Sequence, residues 1–399
     1  MGVQMNVLLP VPLTGRGPSY TCGMLSRFMV NPELSVGVFV PRARGFSVAP
    51  ARLQESMPAM ARYIPYRFIQ SYGCGKTERD FIESFTDRKQ RVHCAYVWPD
   101  TSLETVKALR DAGVKVFREM INGHRGTAKR ILDEAYGRAG LPPNHGIDDA
   151  SIENEQRILE AVDHIFCANA CTESSLLEHS IGEHKHLPAS YGWDPTRFQG
   201  SSKLLPPNDG LTVVFAGTIC IRKGAHLLLD YWARSKVRGR LVLAGAMEPC
   251  IRERWSALLA RDDVKVLNYV DDIGALYRSA DVFAFPTLEE GGPQVTYEAG
   301  GCGLPAITTP MGAGRITRHS REGLVLDPYD GDSWIAALQA LAENPAQRQE
   351  MADAAGEHAN AFSWRDVAKR RRQQVLDQMS GTIRGCGQAS RQLRKSPSA

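Results

Sequence analysis

No apolar run in this 399-residue sequence approaches the roughly 20 residues that a membrane-crossing helix requires, which argues against a helical membrane protein. The first residues also lack a basic segment ahead of a long apolar stretch, so no secretory leader is expected. There is no C-x-x-C pair among the nine cysteines, and Cys167 and Cys171, four apart, suit one helical face better than a zinc site. Reduced thiols in a cytoplasmic protein are the expectation. Charge of either sign is not in excess: 48 Lys and Arg against 44 Asp and Glu leave a net +4, too mild to imply nucleic acid. A Walker A loop is missing as well, because Gln70 stands where the glycine ahead of Gly75-Lys76-Thr77 would be needed. Metal-ligand spacing is equally absent. His179, His184 and His186 are irregular, and Asp330-Gly331-Asp332, which imitates a D-x-D, opens a helix and reads as a cap.

What is present fits a soluble α/β protein: 43% hydrophobic and 23% charged residues with 36 Gly, a composition that excludes disordered and fibrous classes. The length exceeds what one hydrophobic core usually serves, so two domains are expected. Short apolar runs at 4–9, 36–40, 92–97, 114–117 and 163–167 read as strands, with a helix over 101–112. Residues 45–80 show no clear period and read as a mixture of loop and helix. The stretch 201–210, with Pro206, Pro207, Asn208 and Gly210, has the composition of a linker. Beyond it, strands at 211–216, 240–244, 264–269, 282–285, 306–308 and 324–326 alternate with helices at 225–233, 251–259, 273–279, 294–300, 332–343 and 347–361. A basic helix from Trp364 to about Met379 precedes a polar tail, 381–399, expected to be disordered. Such alternation predicts parallel sheets flanked by helices. The expected domains are 1–203 together with the helix 364–380, and 204–363.

Ligands of open α/β sheets bind outside the carboxyl ends of the strands, and two segments there carry chemistry. Glu289-Glu290-Gly291-Gly292-Pro293-Gln294-Val295 follows the strand at 282–285, with Glu298 a turn further on. Pro293 suits a first helical position, and amides of Gln294 and Val295 at a helix start favour an anion such as a diphosphate. The glycines would allow a backbone to approach a ligand, and Glu298 could accept hydrogen bonds from a ribose diol. The second segment runs from Gly217 and Thr218 to Arg222-Lys223-Gly224, placing two cations where a leaving diphosphate would need them. Solvated surface charge and an ordinary helix start remain the plain alternatives for both.

Together the two segments resemble the retaining GT-B glycosyltransferases of family 4, from about Ala161 to Arg372. The paired glutamates of that family's E-x7-E map onto Glu290 and Glu298, and its strand–Gly–loop–Lys-Gly element onto Gly217 and Lys223-Gly224. Residues 191–198, 280–287, 303–306 and 362–364 match further family segments. The resemblance implies two Rossmann-like domains with parallel sheets facing across a cleft, and a hexosyltransferase acting on a nucleotide diphosphate sugar. It also implies catalysis without a metal or cofactor. By the same resemblance Lys223 and an Arg neutralise the donor phosphates, Glu290 contacts the sugar, Glu298 holds the ribose, and Tyr269, Val270 and Asp271 lie by the base. The family's Arg after the strand glycine is replaced by Thr218, and Arg222 is the expected substitute. In the first half, Gly15-Arg16-Gly17 follows the first strand as a candidate diphosphate loop, with Gly17 toward the donor, His124 matches a cleft histidine, and Arg16, Arg118 and Glu119 are candidate acceptor contacts.

The expected partners are a nucleotide-sugar donor and a carbohydrate, lipid-linked or other hydroxyl acceptor, as in polysaccharide or glycoconjugate synthesis. Nucleic acid is not among them. Basic residues from Arg16 to Lys76, in a stretch with few acids, read either as solvated surface charge or as a weak attraction to anionic lipid, a peripheral membrane contact, or to a phosphorylated acceptor. A sugar phosphorylase, a nucleotide-sugar epimerase or a non-catalytic subunit on the same fold are the alternatives.

Overall fold

A computed structural model describes residues 2–86 and 92–392, without the side chains of residues 62 and 381–392. Thirteen strands build two sheets. The first contains β1 (Val3–Leu8), β2 (Leu34–Val40), β3 (Arg52–Glu55), β4 (Cys94–Val97), β5 (Lys115–Met120), β6 (His164–Cys167) and β7 (His186–Pro188), in the order β3-β2-β1-β4-β5-β6-β7. The second contains β8 (Leu211–Ala216), β9 (Gly239–Ala244), β10 (Val264–Leu267), β11 (Val282–Phe285), β12 (Ala306–Thr308) and β13 (Gly323–Val325), in the order β10-β9-β8-β11-β12-β13. The fold is α/β with two Rossmann-like parallel sheets, as expected from the alternation of apolar runs.

Residues of β8, β9, β11 and β12 such as Val213, Phe215, Leu241, Leu243, Phe283 and Ile307 are fully buried. Their near-continuous apolar runs follow from helices covering both faces of a parallel sheet. β3 was not visible as a strand, because Arg-Leu-Gln-Glu offers a single apolar residue and lies at a sheet edge. Helices Pro18–Met29, Arg125–Arg138, Asp149–Ala161 and Ala170–Glu178 were likewise not expected. The helix expected over 251–259 is broken at Trp255 into Pro249–Arg254 and Ser256–Leu259. Asp330 does cap helix Gly331–Glu343, accepting from the Ser333 amide at 3.1 Å, and Asp332 lies beside Arg234.

The chain divides into two compact units. One comprises Met1–Glu119, Ile158–Phe166 and Trp364–Ala399; the other comprises Met120–Arg157 and Cys167–Ser363. In the first, the last helix, Trp364–Gln392, packs on Pro18–Met29 through Trp364 against Tyr20 and Arg365 over Phe28. This helix runs past the expected end near Met379; of the tail expected to be disordered, residues 393–399 lie outside the described residues. The same helix places Arg371 in the core, against Glu119, the Tyr96 hydroxyl and the Phe166 ring. Among the described residues no helix is long and apolar enough to cross a membrane.

Candidate functional site

The second sheet decides which loops meet. β8 lies between β9 and β11: Val213 pairs with Leu241 on one side and Val282 on the other. The chain leaves β8 for one neighbour and returns from the other, so the loops after β8 and β11 flank the switch point, where open α/β sheets bind ligands. Residues 217–224 follow β8 and residues 286–293 follow β11. Their packing is tight enough to require Gly224. It has φ 68°, and an added Cβ would fall 2.0 Å from the Pro286 carbonyl oxygen.

At this junction Lys223 and Arg222 converge on the glutamate pair. Lys223 Nζ lies 2.9 Å from Glu290 Oε1, and Arg222 Nη1 lies 3.3 Å from the same oxygen. Arg222 Nη1 also donates to the Glu289 carbonyl at 2.8 Å and lies 3.5 Å from its carboxylate. The Lys223 ammonium sits over the Phe285 ring, and its stem runs beside Gly217. Thr218 is exposed, and Arg222 is the arginine that stands next to the glutamates.

Glu289, for which the sequence offered no role, is the deeper of the two glutamates. It accepts from Asn122 Nδ2 at 2.6 Å and from the Gly123 amide at 3.0 Å, tying the 121–124 turn to the loop after β11. Burial pushes its carboxyl above the usual range, while Arg222 pulls the other way. Only its place beside Glu290 could have drawn attention to it.

The two glycines that follow are required by the packing of the chain itself. A Cβ on Gly291 would fall 2.3 Å from the Ile121 carbonyl carbon and 2.4 Å from the Asn122 nitrogen; one on Gly292 would strike the Tyr191 ring at 2.4 Å. The chain's own backbone and a tyrosine need that space. The helix start is also partly used. The Gln294 amide donates to the Gly292 carbonyl at 2.9 Å, whereas among the described residues no backbone carbonyl accepts from the Val295 amide. Helix Gln294–Gly301 has no side-chain cap.

Residues 191–193 lie along this helix. Gln294 Nε2 donates to the Gly192 carbonyl at 2.6 Å, and Trp193 fits against Gly301 while its indole donates to Ala359 at 2.8 Å. Glu298 is buried one turn in, with Arg197 Nη1 at 3.6 Å. Burial raises its carboxyl to about 7, opposed by Arg197 and Gln294.

The other expected residues stand on other elements. His124 is fully buried and caps helix Arg125–Arg138: its Nδ1 accepts from the Gly126 amide at 3.1 Å, leaving Nε2–H to donate to Gln156 Oε1 at 3.0 Å. Its ring stacks on His179 at 3.8 Å, and burial together with His179 lowers it to about 4, so it is neutral at physiological pH. Tyr269 and Asp271 are exposed on the loop after β10, and Val270 is half-buried there. Arg16 and Gly17 precede helix Pro18–Met29 in the first unit, with Gly17 at its N-cap. Arg118 and Glu119 are buried in β5. Glu119 is engaged by Arg371 and Tyr96 as a core ion pair, and no acceptor role is proposed for it.

Residues 210–344 match the family described as glycosyl transferases group 1. This stretch is a glycosyl transferases group 1 domain. It holds Arg222, Lys223, Glu289, Glu290 and Glu298. The chain is 28% identical over 238 residues to the D-inositol 3-phosphate glycosyltransferase of Arthrobacter sp. (strain FB24), covering 54% of this chain and 56% of that protein. It is 35% identical over 233 residues to the protein of the same name from Pseudarthrobacter chlorophenolicus, with the same shares covered. The chain thus aligns with about half the length of these relatives. Among solved structures, sucrose-phosphate synthase from Thermosynechococcus elongatus superposes with a TM-score of 0.73 at 17% identity, over 95% of this chain and 100% of that one. Anabaena HepE in complex with UDP-glucose gives 0.64 at 12% identity, over 94% and 99%. At such identities the likeness is one of fold, and the fold is GT-B.

Proposed function

We propose that this chain is a cytoplasmic, retaining glycosyltransferase that moves a sugar from a nucleotide diphosphate to an acceptor hydroxyl without a divalent metal or other cofactor. In this reading residues 204–363 hold the donor, and 1–203 with 364–380 serve the acceptor. The observation that carries it is the convergence of Lys223 and Arg222 on Glu290, at 2.9 and 3.3 Å, beside a helix start that has no side-chain cap and whose Val295 amide donates to no backbone carbonyl among the described residues. A diphosphate arriving there exchanges carboxylate oxygens for phosphate oxygens around two fixed cations. As the bond from the anomeric carbon to the diphosphate breaks, negative charge grows on the leaving oxygen. Preorganised cations stabilise that charge more than the ground state, which accelerates the step. Glu290, released from its partners, faces the positive charge developing on the sugar, and Glu298 accepts from the ribose. The acceptor proton passes to a leaving phosphate oxygen while the new bond forms on the same face, as the family resemblance implies.

UDP-sugars lead the donor panel, because HepE, which shares the fold, is known in complex with UDP and UDP-glucose. Phosphorylated polyols join carbohydrate and lipid-linked hydroxyls in the acceptor panel, in view of the curated relatives' name. The test is release of nucleotide diphosphate from UDP-, GDP-, ADP- and dTDP-sugars, with the product's anomeric configuration followed by NMR. Absence of turnover and of nucleotide diphosphate binding across the panel overturns the reading.

A further inference from the structure

The segment 56–77 was the least legible part of the sequence, and in the first unit it is folded. Two 3-10 turns, Ala59–Tyr63 and Tyr66–Phe68, lead into helix Gln70–Thr86. One side of the segment is anchored. Met57, Ala61, Gly73, Thr77 and Phe81 are buried, and Arg42 Nη1 donates to the carbonyls of Ala61 at 3.2 Å and Ile64 at 3.0 Å. The Arg42 guanidinium also lies over the Tyr66 ring, whose hydroxyl reaches the Pro10 carbonyl.

The exposed side chains of the same segment include most of its large apolar residues. Tyr63 is 90% exposed, Met60 82%, Phe68 69%, Tyr72 58% and Ile64 44%. Nine large hydrophobic side chains are exposed among the described residues, and these are five of them. Soluble proteins rarely gather exposed apolar residues this way unless the patch meets something. Charge indicates what it meets. From Ser56 to Thr77 the sequence holds Arg62, Arg67 and Lys76 and no acid, although Glu55, Glu78 and Asp80 flank the segment and Asp80 pairs with Lys76 at 3.0 Å; Arg67 is exposed and lies over the Phe68 ring at 4.7 Å. Tyrosines with a polar tip, apolar neighbours and basic residues form the composition that settles at the headgroup level of a bilayer.

We infer that the surface formed by Met60, Tyr63, Ile64, Phe68 and Tyr72 docks on an anionic lipid bilayer, inserting these side chains at the headgroup boundary while Arg67 pairs with lipid phosphates. The segment lies on the membrane and does not cross it. The inference is independent of the sugar-transfer reading, since none of its residues belongs to the donor site.

The test is cosedimentation of the full chain with phosphatidylcholine vesicles, with and without phosphatidylserine, at low and high salt. The chain is retained on the anionic vesicles at low salt, is released by salt, and binds phosphatidylcholine alone weakly. Met60→Ser/Tyr63→Ser/Phe68→Ser lowers partitioning about ten-fold or more. Arg67→Glu lowers it about five-fold or more, since each basic residue near an anionic surface contributes roughly that factor. Both variants alter exposed side chains and keep the wild-type melting temperature; Tyr63→Ser alone, with a smaller loss, serves if the triple variant does not fold. No retention at low salt overturns the inference, as does equal retention of wild type and triple variant. Wild-type self-association that the triple variant abolishes, with no vesicle binding by either, assigns the patch to a second copy and also overturns it.

Discussion

Lys223→Met removes the ammonium but keeps an unbranched stem to pack beside Gly217 and over Phe285. Its consequences can be worked through the cluster. Glu290 loses its partner at 2.9 Å and retains Arg222 at 3.3 Å, so its carboxylate is not left alone in a buried position. The stability loss should therefore stay below the roughly 3–5 kcal/mol that follows when a buried pair is broken outright. The effect on catalysis should be larger. A cation about 4 Å from a phosphate oxygen contributes roughly 4 kcal/mol at the effective dielectric of such sites. The portion realised only as the leaving charge grows is about 2–4 kcal/mol, by analogy with loss of one oxyanion donor. At 1.36 kcal/mol per decade, kcat/KM should fall about 30- to 1000-fold. The assay is release of nucleotide diphosphate from the donor identified by the screen, with melting temperature and circular dichroism as folding controls. A folded Lys223→Met protein whose kcat/KM stays within about two-fold of wild type would refute the phosphate-clamp argument.

Glu298→Gln should raise the donor KM more than it lowers kcat, because ribose contacts are the same in ground and transition states; a loss confined to kcat contradicts the assignment. Its carboxyl, raised to about 7 by burial from an ordinary 4.5, favours the folded state when protonated, so that contribution is complete below about 4.5 and disappears as pH rises through 7. At 1.36 kcal/mol per pH unit, 2.5 units correspond to at most about 3 kcal/mol, so Glu298→Gln should be the more stable protein above pH 7, a difference that urea unfolding from pH 5 to 8 measures. His124 acts with the opposite sign: lowered to about 4, it favours the fold above 6.5 and withdraws that support as pH falls toward 4. The Gln variant should therefore lose stability on acidification more steeply than wild type. Gly291→Ala should destabilise by about 2 kcal/mol or more, because its Cβ meets the backbone at Ile121 and Asn122 and not a flexible side chain; an unchanged melting temperature is the contrary result. Activity should survive EDTA, whereas a loss restored by manganese indicates a metal-assisted reaction.

The legible parts of this protein were those in which neighbouring residues carry the information. Leu211–Ala216 and Val282–Phe285 read as strands because a parallel sheet covered on both faces makes each strand an unbroken apolar run. Gly217 to Gly224 and Glu289 to Val295 read as ligand loops because glycine, proline and paired charges were concentrated just past those strands. Pairing between strands is not local, and it decided the rest. Arg222 and Glu289 are 67 positions apart, and β8 and β11 had to become neighbours before their loops could meet. The same holds for Asn122 and Glu289, 167 positions apart, whose hydrogen bond assigns Gly291 to a backbone crossing that no motif announces. Glu119 looked like an acceptor contact until the last helix brought Arg371 to it from 252 positions away. In 56–77 the failure had another cause: turns of three to five residues contain less than two helical periods, so the alternation of buried Ala61 and exposed Tyr63 has no pattern to read. Sequence alone determined the fold class and where glycine and paired charge gather in the two loops, since both are written in adjacent residues. Which carboxylate each cation meets, which glycine yields to which backbone, and which apolar face remains outside were decided only by the tertiary structure, because each depends on a partner far along the chain.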